Sequence, residues 1–525
     1  MRKGQVMNLI KTMPLAASPC PAVRDPAEIR DRHTPMLTDE SRLQADSVKT
    51  IYFPRSVEEI AGAFQELREG GMTCVISGGR TGITGGAVPI GAHAVISMER
   101  MKGISALDRE GERFFVRAEA GVTLKELEEE LARRAREGGP ALWFPVDPTE
   151  RSAQLGGMAA TNASGPRTYL HGSTREWIRG LAMVLPDGSL LKVRRGDVQA
   201  EGLLFRIAGV DGVSRDILLP DTAMPRVKNA AGYFIRPGMD LVDLLVGSEG
   251  TLGIIAEIEF RLEEKPEATL GILIGTKDEE AALDLVEAAR KAKDIPLQAI
   301  EYFDPDSIRL LNERKREEGN GSALPEFPFH GGAAVYLEMA GPEPMMEAAG
   351  GRLESLLLSL GIPADRTWAA RDERDLERQK LFRHAVPETV NAWIGRRKQA
   401  YPDLHKVGTD FAVPDSALRK MFSLYRRGLR EKGLQSVVFG HIGNNHVHVN
   451  VLPRNMEEME EAGELYLKWA HAAVSLGGSV SGEHGIGRLK KDLLKIQHPP
   501  DVLEAMRLLR KAFDPAGILA PGVLF

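Results

Sequence analysis

Between Val75 and Pro89 the chain reads VISGGRTGITGGAVP: five glycines, two threonines, one serine and one arginine between two apolar, β-forming runs. Glycine loses more backbone entropy on ordering than any other residue, so so dense a cluster marks backbone that passes close to something or takes positive φ. The stretch fits neither the phosphate loop ending in Gly-Lys-Ser/Thr nor the strand, GxGxxG, helix fingerprint of dinucleotide folds. Two more small-residue loops follow, FPVDPTERSAQLGGMAATNASGP (Phe144 to Pro166) and DLLVGSEGTLGIIAEIEFRL (Asp243 to Leu262). Successive N–H groups in such loops form anion-binding nests without cationic side chains, so the three suit one long phosphate-bearing ligand laid on main chain.

From about Arg42 to Arg261, short β-rich runs (TCVIS, HAVIS, RFFVRAEAG) alternate with amphipathic stretches (SVEEIAGAFQELREGG, TLKELEEELARRAREGG). This predicts mixed α and β structure, with Ser56 capping a helix that leads into the glycine stretch. The glycine-rich pattern stops at LEEKPEAT, where LGILIGT and DEEAALDLVEAARKAKD open a second domain. That domain continues through AAVYLEMAG, a charged helical stretch from Glu343 to Leu381, and HKVGTDFAVP.

At 525 residues the chain exceeds one ordinary core, and two domains are expected. A net charge of −6 leaves no basic surplus for nucleic acid, which is excluded as a partner class. Two cysteines, Cys20 and Cys74, cannot supply a disulfide framework, a four-cysteine zinc site or an iron–sulfur cluster. Asn8, Lys11 and Pro14 interrupt the only apolar stretch near the N-terminus, and no run of about 18 apolar residues exists. A reduced, cytoplasmic protein is expected, with peripheral attachment at the inner face of the membrane left open.

A second constellation is VVFGHIGNNHVHVNVLP, Val437 to Pro453, with three histidines between two apolar runs. His441 and His448 flank a Gly-Asn-Asn turn, while His446 and His448 are two apart and would share a strand face. Either pair could chelate a metal, and Glu483 in SGEHGIG offers a carboxylate for a three-ligand site with open positions. Arg383 in LFRHAVPE and Lys406 in HKVGTDFAVP are candidate partners for a carboxylate.

In order along the chain, GGRTGITGGAVP, DPTERSAQLGGMAATNASGP and VGSEGTLGIIAEIEFRL resemble the flavin-binding segments of FAD-linked oxidases of the vanillyl-alcohol oxidase and para-cresol methylhydroxylase superfamily. The resemblance implies an α+β fold: a two-subdomain FAD-binding domain and an α+β substrate or cap domain with an antiparallel sheet. The expected boundaries are an N-terminal extension over 1–40, the FAD domain over 41–265, the cap domain with the metal site over 266–505, and a C-terminal segment over 506–525 packing back on the FAD domain. By resemblance, Ser77, Gly78, Gly79, Arg80, Thr81, Gly82, Gly85 and Gly86 hold the FAD pyrophosphate, while Pro145, Asp147, Gly156, Gly157, Asn162, Gly165, Gly253 and Ile254 help bury the cofactor. Arg80 departs from the pattern, which commonly has glycine there and arginine where Ser77 stands; it is either the swapped arginine paired to phosphate or an exposed charge.

The histidine segment and GEHG are similar to those of FAD-linked D-2-hydroxyacid dehydrogenases, D-lactate and D-2-hydroxyglutarate enzymes included. The resemblance places His441, His448 and Glu483 on divalent-metal ligands, Asn450 on a substrate contact, His484 on the catalytic base, and Arg383 and Lys406 on the carboxylate clamp. It breaks where the family has Asp-Gly-Asn and this chain has Asn444, Asn445 and His446, which opens a fourth ligand or an altered pocket. Pro387 replaces a threonine of the hydroxyglutarate enzymes and counts against that substrate. The expected reaction is oxidation of a D-2-hydroxy acid, D-lactate first, to the 2-oxo acid, with hydride passing to flavin N5. The metal is expected to be zinc, with manganese or iron as alternatives. Electrons then leave to an external quinone, electron-transfer flavoprotein or cytochrome, not NAD, and a homodimer is among the expected assemblies. Alternative readings are the FAD subunit of a glycolate-oxidising complex and a D-2-hydroxyglutarate dehydrogenase. A non-redox transferase like the alkyl-dihydroxyacetonephosphate synthases is disfavoured by the carboxylate and metal set.

Overall fold

Helix Val57–Glu69 starts where the Ser56 side chain accepts the Glu59 N–H, and its Ile60, Phe64 and Leu67 recur on one buried face. This computed structural model describes residues 9–208, 214–325, 327–329, 331–370 and 372–525. The helix returns the chain to strand Cys74–Ser77, which runs parallel to Ala94–Ser97, itself parallel to Thr50–Tyr52; Ala22–Val23 completes a four-stranded sheet. The glycine stretch therefore leaves the carboxyl end of a parallel strand, where open α/β sheets place their ligands.

A second, nine-stranded sheet forms the other half of the first domain. Its path runs Ser214–Leu218, Leu204–Ala208, Leu9–Met13, Leu190–Arg194, Ile178–Val184, Ile254–Glu264, Arg113–Glu119, Asp108–Glu110, with Leu142–Trp143 paired to Ile254–Glu264. Within the extension expected over 1–40, the described strands, Leu9–Met13 and Ala22–Val23, are built into the two sheets. Leu9–Met13 is an interior strand, parallel to Leu204–Ala208 and antiparallel to Leu190–Arg194, with Ile10 fully buried. Ile60, Phe64 and Leu67 share one core with Ala182, Val184 and Ile254, which locks the small sheet to the large one.

Past Glu264 a seven-stranded, wholly antiparallel sheet carries the second domain: Thr367–Ala369, Ala268–Gly275, Ala334–Gly341, Leu297–Phe303, Ser436–Gly440, His448–Val451, Val407–Gly408. The single helical stretch expected from Glu343 to Leu381 is two helices, Glu343–Ser359 and Glu373–Arg397, split by the edge strand Thr367–Ala369. Gly361, at φ +68, and Pro363 end the first helix. The C-terminal boundary expected at 506 falls inside helix Pro500–Phe513. Beyond that helix the chain lies along the small sheet, Cys74 donating to the Ile518 carbonyl (2.8 Å) and accepting from the Ala520 N–H (2.7 Å). Among the described residues no helix is long and apolar enough to cross a membrane.

Candidate active site

The three glycine loops meet at the end of Cys74–Ser77 because small residues let their backbones touch. A Cβ on Gly79 would lie 2.9 Å from the Ser152 carbonyl, one on Gly156 2.5 Å from Ala120, one on Gly250 3.1 Å from Ile76, and one on Gly165 would overlap the Asp147 carbonyl. Gly78 lies close to Gln154 and to Gly157. By contrast Gly82, Gly86 and Gly157 have nothing within 4 Å of the missing Cβ, so they border open space. Along the same loops Gln154 Oε1, Ser164 Oγ and Ser248 Oγ are buried without a hydrogen-bond partner among the described residues. A groove of bare backbone and orphaned polar atoms fits a long, polar cofactor such as FAD.

The other residues that sequence assigned to this groove have distinct surroundings. Arg80, at φ +57, turns back on its own loop, donating from Nη1 to Gly78 O (3.2 Å) and Ser77 Oγ (3.3 Å). It is thus not simply an exposed charge. Asn162 ends helix Leu155–Thr161 in the left-handed region, and its Oδ1 accepts the Arg175 N–H (2.9 Å), so the side chain is committed to backbone. Thr81 is half-buried in the opening loop, and Gly85, at φ +76, packs on Leu43. Pro145 is buried near Asp147, whose carboxylate lies 3.7 Å from Arg167. Gly253 packs on Met183, and Ile254 opens the long strand.

In the second domain, His441 follows strand Ser436–Gly440 and His448 opens the paired strand His448–Val451, so the hairpin brings them together. Ligand atoms of His441, His446, His448 and Glu483 all lie within 4.8 Å of one another. Only His448 is within a regular strand; His446 forms an isolated bridge with Ala412, yet the two rings are 4.7 Å apart and face one centre. Glu483 Oε2 is 3.1 Å from His441 Nε2, 3.8 Å from His446 Nδ1 and 3.9 Å from His448 Nε2. The outer ring nitrogens are tied down: His441 Nδ1 to Glu301 (2.8 Å), His446 Nε2 to Asp410 (2.8 Å), His448 Nδ1 to the Thr409 carbonyl (3.2 Å). Imidazoles held from behind beside a carboxylate form a donor set that fits a divalent ion.

Burial, with the neighbouring histidines, holds His448 well below the usual imidazole range, while burial and Lys228 push His446 down to about 4. Burial opposes ionisation of Glu483, but Lys228 and His441 overcome it and keep the carboxylate charged. Burial likewise opposes a charged His441, yet Glu301 and Glu483 lift it to about 9, as expected of a ring between two carboxylates.

His484 stacks on His448 with centroids 5.4 Å apart, and its side chain, 27% exposed against 12% for Glu483, has the more open position. Behind it Asp410 receives the His484 N–H (3.1 Å), Ser481 Oγ (2.7 Å) and Lys490 Nζ (2.6 Å), and lies 3.3 Å from His484 Nδ1. The loop carrying these groups is fastened to the flavin loops. Glu249 of the third glycine loop accepts the Ile486 and Gly487 N–H groups (2.9 and 2.7 Å), and Thr84 of the first accepts the Arg488 N–H through its carbonyl (2.8 Å). The metal-type cluster thus abuts the groove.

Arg383 is buried on helix Glu373–Arg397, its guanidinium 4.8 Å from the Tyr336 ring and 3.8 Å from Glu338, with no hydrogen-bond partner for Nε among the described residues. Pro387, inside that helix, lacks the N–H that would bond the Arg383 carbonyl. Glu338 also accepts from Arg167 (2.7 Å), Gln298 (3.0 Å) and Tyr336 (2.8 Å); burial opposes its charge, but Arg167 and Arg383 lower it to about 2. Lys406 is lowered to about 8 by burial and by Arg42. Asn450 is buried two residues along the strand from His448, on the same face. Sequence reading missed Lys228, whose buried Nζ is 3.4 Å from Glu483, and Glu301, Asp410, Glu338, Arg167 and Lys490. Each is a lone charged residue distant in sequence from its partner, so no local pattern announces it.

Two family models match: an FAD binding domain over residues 48–194 and an FAD-linked oxidase C-terminal domain over 265–524. A D-lactate dehydrogenase of Archaeoglobus fulgidus is 30% identical over 472 residues, covering 89% of each chain. A D-2-hydroxyglutarate dehydrogenase of Stutzerimonas stutzeri is 28% identical over 495 residues, covering 92% of each. An alkyldihydroxyacetonephosphate synthase structure superposes with a TM-score of 0.64 at 16% identity, over 98% of this chain and 90% of that one, a likeness of fold.

Proposed function

Because the chain belongs to the family of FAD-linked oxidoreductases, whose FAD binding and C-terminal oxidase domains it carries, we propose that it is a dehydrogenase oxidising a D-2-hydroxy acid, D-lactate first, to the 2-oxo acid. The observation that carries this reading is the fastening of the His484 loop, through Thr84 and Glu249, to two of the three glycine loops. It supports a site in which His484, the His441–His448–Glu483 group and the glycine loops work together. Fold alone does not choose the chemistry, since a synthase shares it; the side chains gathered at the site support the dehydrogenase reading.

FAD would rest on Ser77 to Gly86 and the two later glycine loops, and a divalent ion on His441, His448 and Glu483. When bound, the ion supplies Lewis acidity to the substrate hydroxyl and FAD the hydride acceptor at N5. His484 takes the hydroxyl proton at an imidazole nitrogen, and Asp410 behind it stabilises the charge it gains. Arg383 and Lys406 grip the substrate carboxylate, with Asn450 orienting the Cα end. Glu338, already supplied by Arg167, Gln298 and Tyr336, leaves Arg383 free to face substrate. Pro387 favours a short side chain over a second carboxylate. Reoxidation passes electrons to an external acceptor, a quinone, electron-transfer flavoprotein or cytochrome.

Anaerobic titration of the purified flavoprotein with D- and L-2-hydroxy acids of increasing length tests the reading: D-lactate should bleach the flavin spectrum and L-lactate should not. Bleaching by no 2-hydroxy acid overturns it. A similarity to glycolate oxidase subunit GlcD of Bacillus subtilis, 26% identical over 90% of this chain, favours a second reading in which activity needs partner subunits. Bleaching by glycolate only in the presence of co-purifying chains would select that reading.

A further inference from the structure

Resting on the metal reading above, we propose that the divalent ion is held by four protein ligands, His446 joining His441, His448 and Glu483, and that this third imidazole tilts the site toward zinc and away from manganese. The three histidines are equipped alike. Each gives its outer nitrogen to a group placed to accept, a carboxylate for His441 and His446 and a backbone carbonyl for His448, and each turns its inner nitrogen toward Glu483 Oε2. This carboxylate-or-carbonyl, histidine, metal arrangement fixes the ring tautomer and orients the free lone pair.

For His446 the tautomer is set from behind. Asp410 takes hydrogen bonds from Lys490 and Ser481 on Oδ2, so Oδ1 is the acceptor of the His446 Nε2–H (2.8 Å). The Nδ1 lone pair then faces Glu483. His446 is 0% exposed and its Nδ1 finds no hydrogen-bond partner among the described residues. A purely structural histidine would leave that lone pair buried beside a carboxylate, an unsatisfied and unfavourable arrangement; an ion removes the cost. The ring occupies the space beside Gly482, where a Cβ would lie 3.0 Å from it and crowd it out. A second grouping, Asp410 with His448 and His484, competes less well because Asp410 is already engaged by Lys490, Ser481 and His446.

Four ligands hold an ion more tightly and leave fewer open positions than three, and imidazole suits zinc where carboxylate and water suit manganese. X-ray absorption on the zinc-loaded, flavin-containing protein should count three imidazoles, and His446→Asn should count two. In competition with a chromophoric chelator, His446→Asn should weaken zinc by at least about 10- to 100-fold, the span seen on loss of an outer partner alone, and manganese by less. Unchanged flavin content verifies the variant's fold. Two imidazoles in the unaltered protein, or an unchanged zinc affinity in His446→Asn, overturn the role of His446 and leave the function standing. A protein that binds no divalent ion overturns both.

Discussion

On the proposed reading, Arg383 serves substrate without holding up the fold. Its removal leaves Glu338 with Arg167, Gln298 and Tyr336, so the buried carboxylate keeps its partners. Arg383→Ala should therefore unfold within a few degrees of the parent in calorimetry, while kcat/KM falls by roughly 30- to 1,000-fold, a loss of about 2–4 kcal/mol, mostly as raised KM. An unchanged kcat/KM removes Arg383 from the site. Lys406 gives a pH signature. Burial and Arg42 bring its ammonium down to about 8, so the charge is present below that value and lost as pH rises through it. KM should climb above pH 8 with kcat steady, and Lys406→Arg, charged throughout, should flatten the climb in steady-state assays. At this scale the sequence is legible where candidate ligands cluster: His441, His446 and His448 share one hairpin, Glu483 and His484 are adjacent, and the fold brings the three histidines and Glu483 into one group that could hold an ion. It is silent on Glu301 and Asp410, which meet their histidines across 140 and 36 residues, because pairing at that distance follows from topology, not from neighbouring side chains.

The glycine loops divide into two kinds, and substitution separates them. Gly165→Ala would drive a methyl into the Asp147 carbonyl, where backbone must move, so it should lower thermal stability and flavin content together. Gly82→Ala meets nothing within 4 Å in the protein alone, so the apoprotein should melt as the parent does, and only FAD affinity should fall, measured by fluorescence titration. Equal FAD affinity in Gly82→Ala would take that glycine off the cofactor path. Local patterning made the elements readable: Ser56 caps its helix as expected, and LGILIGT is the strand Ala268–Gly275 followed by helix Glu279–Lys291. Leu9–Met13 escaped because a strand is defined by its partners, here at residues 190–191 and 206–208, and Lys11 and Thr12 give it no unbroken apolar run. The charged stretch from Glu343 was read as one helix because the break at Gly361 and Pro363 is short and the edge strand after it only half-buried.

For the whole molecule, the proposed function requires the two domains to act as one, since a base and ligand set on the second would be useful only if held against a flavin on the first. Glu249 is one group that joins them at the site, reaching from the third glycine loop to the Ile486 and Gly487 amides just past His484. Glu249→Gln keeps the shape but can accept through only one oxygen, so one of the two amides loses its partner. The His484 loop should loosen, and anaerobic flavin reduction should slow by about 100-fold, the cost of roughly an ångström of misplacement, with FAD and metal content unchanged. Burial raises the Glu249 carboxyl to about 7 despite those two amides. A folded-state value above the unfolded one means that the stabilising contribution of the protonated form is complete below the ordinary carboxyl range and is lost as pH rises toward 7. The neutral glutamine escapes that loss. The melting temperature of Glu249→Gln should therefore gain on the parent between pH 5 and pH 8, even as its flavin reduction lags at every pH. A variant that reduces flavin at the parent's rate, or whose melting difference stays flat across that window, would show that the domains are held together elsewhere.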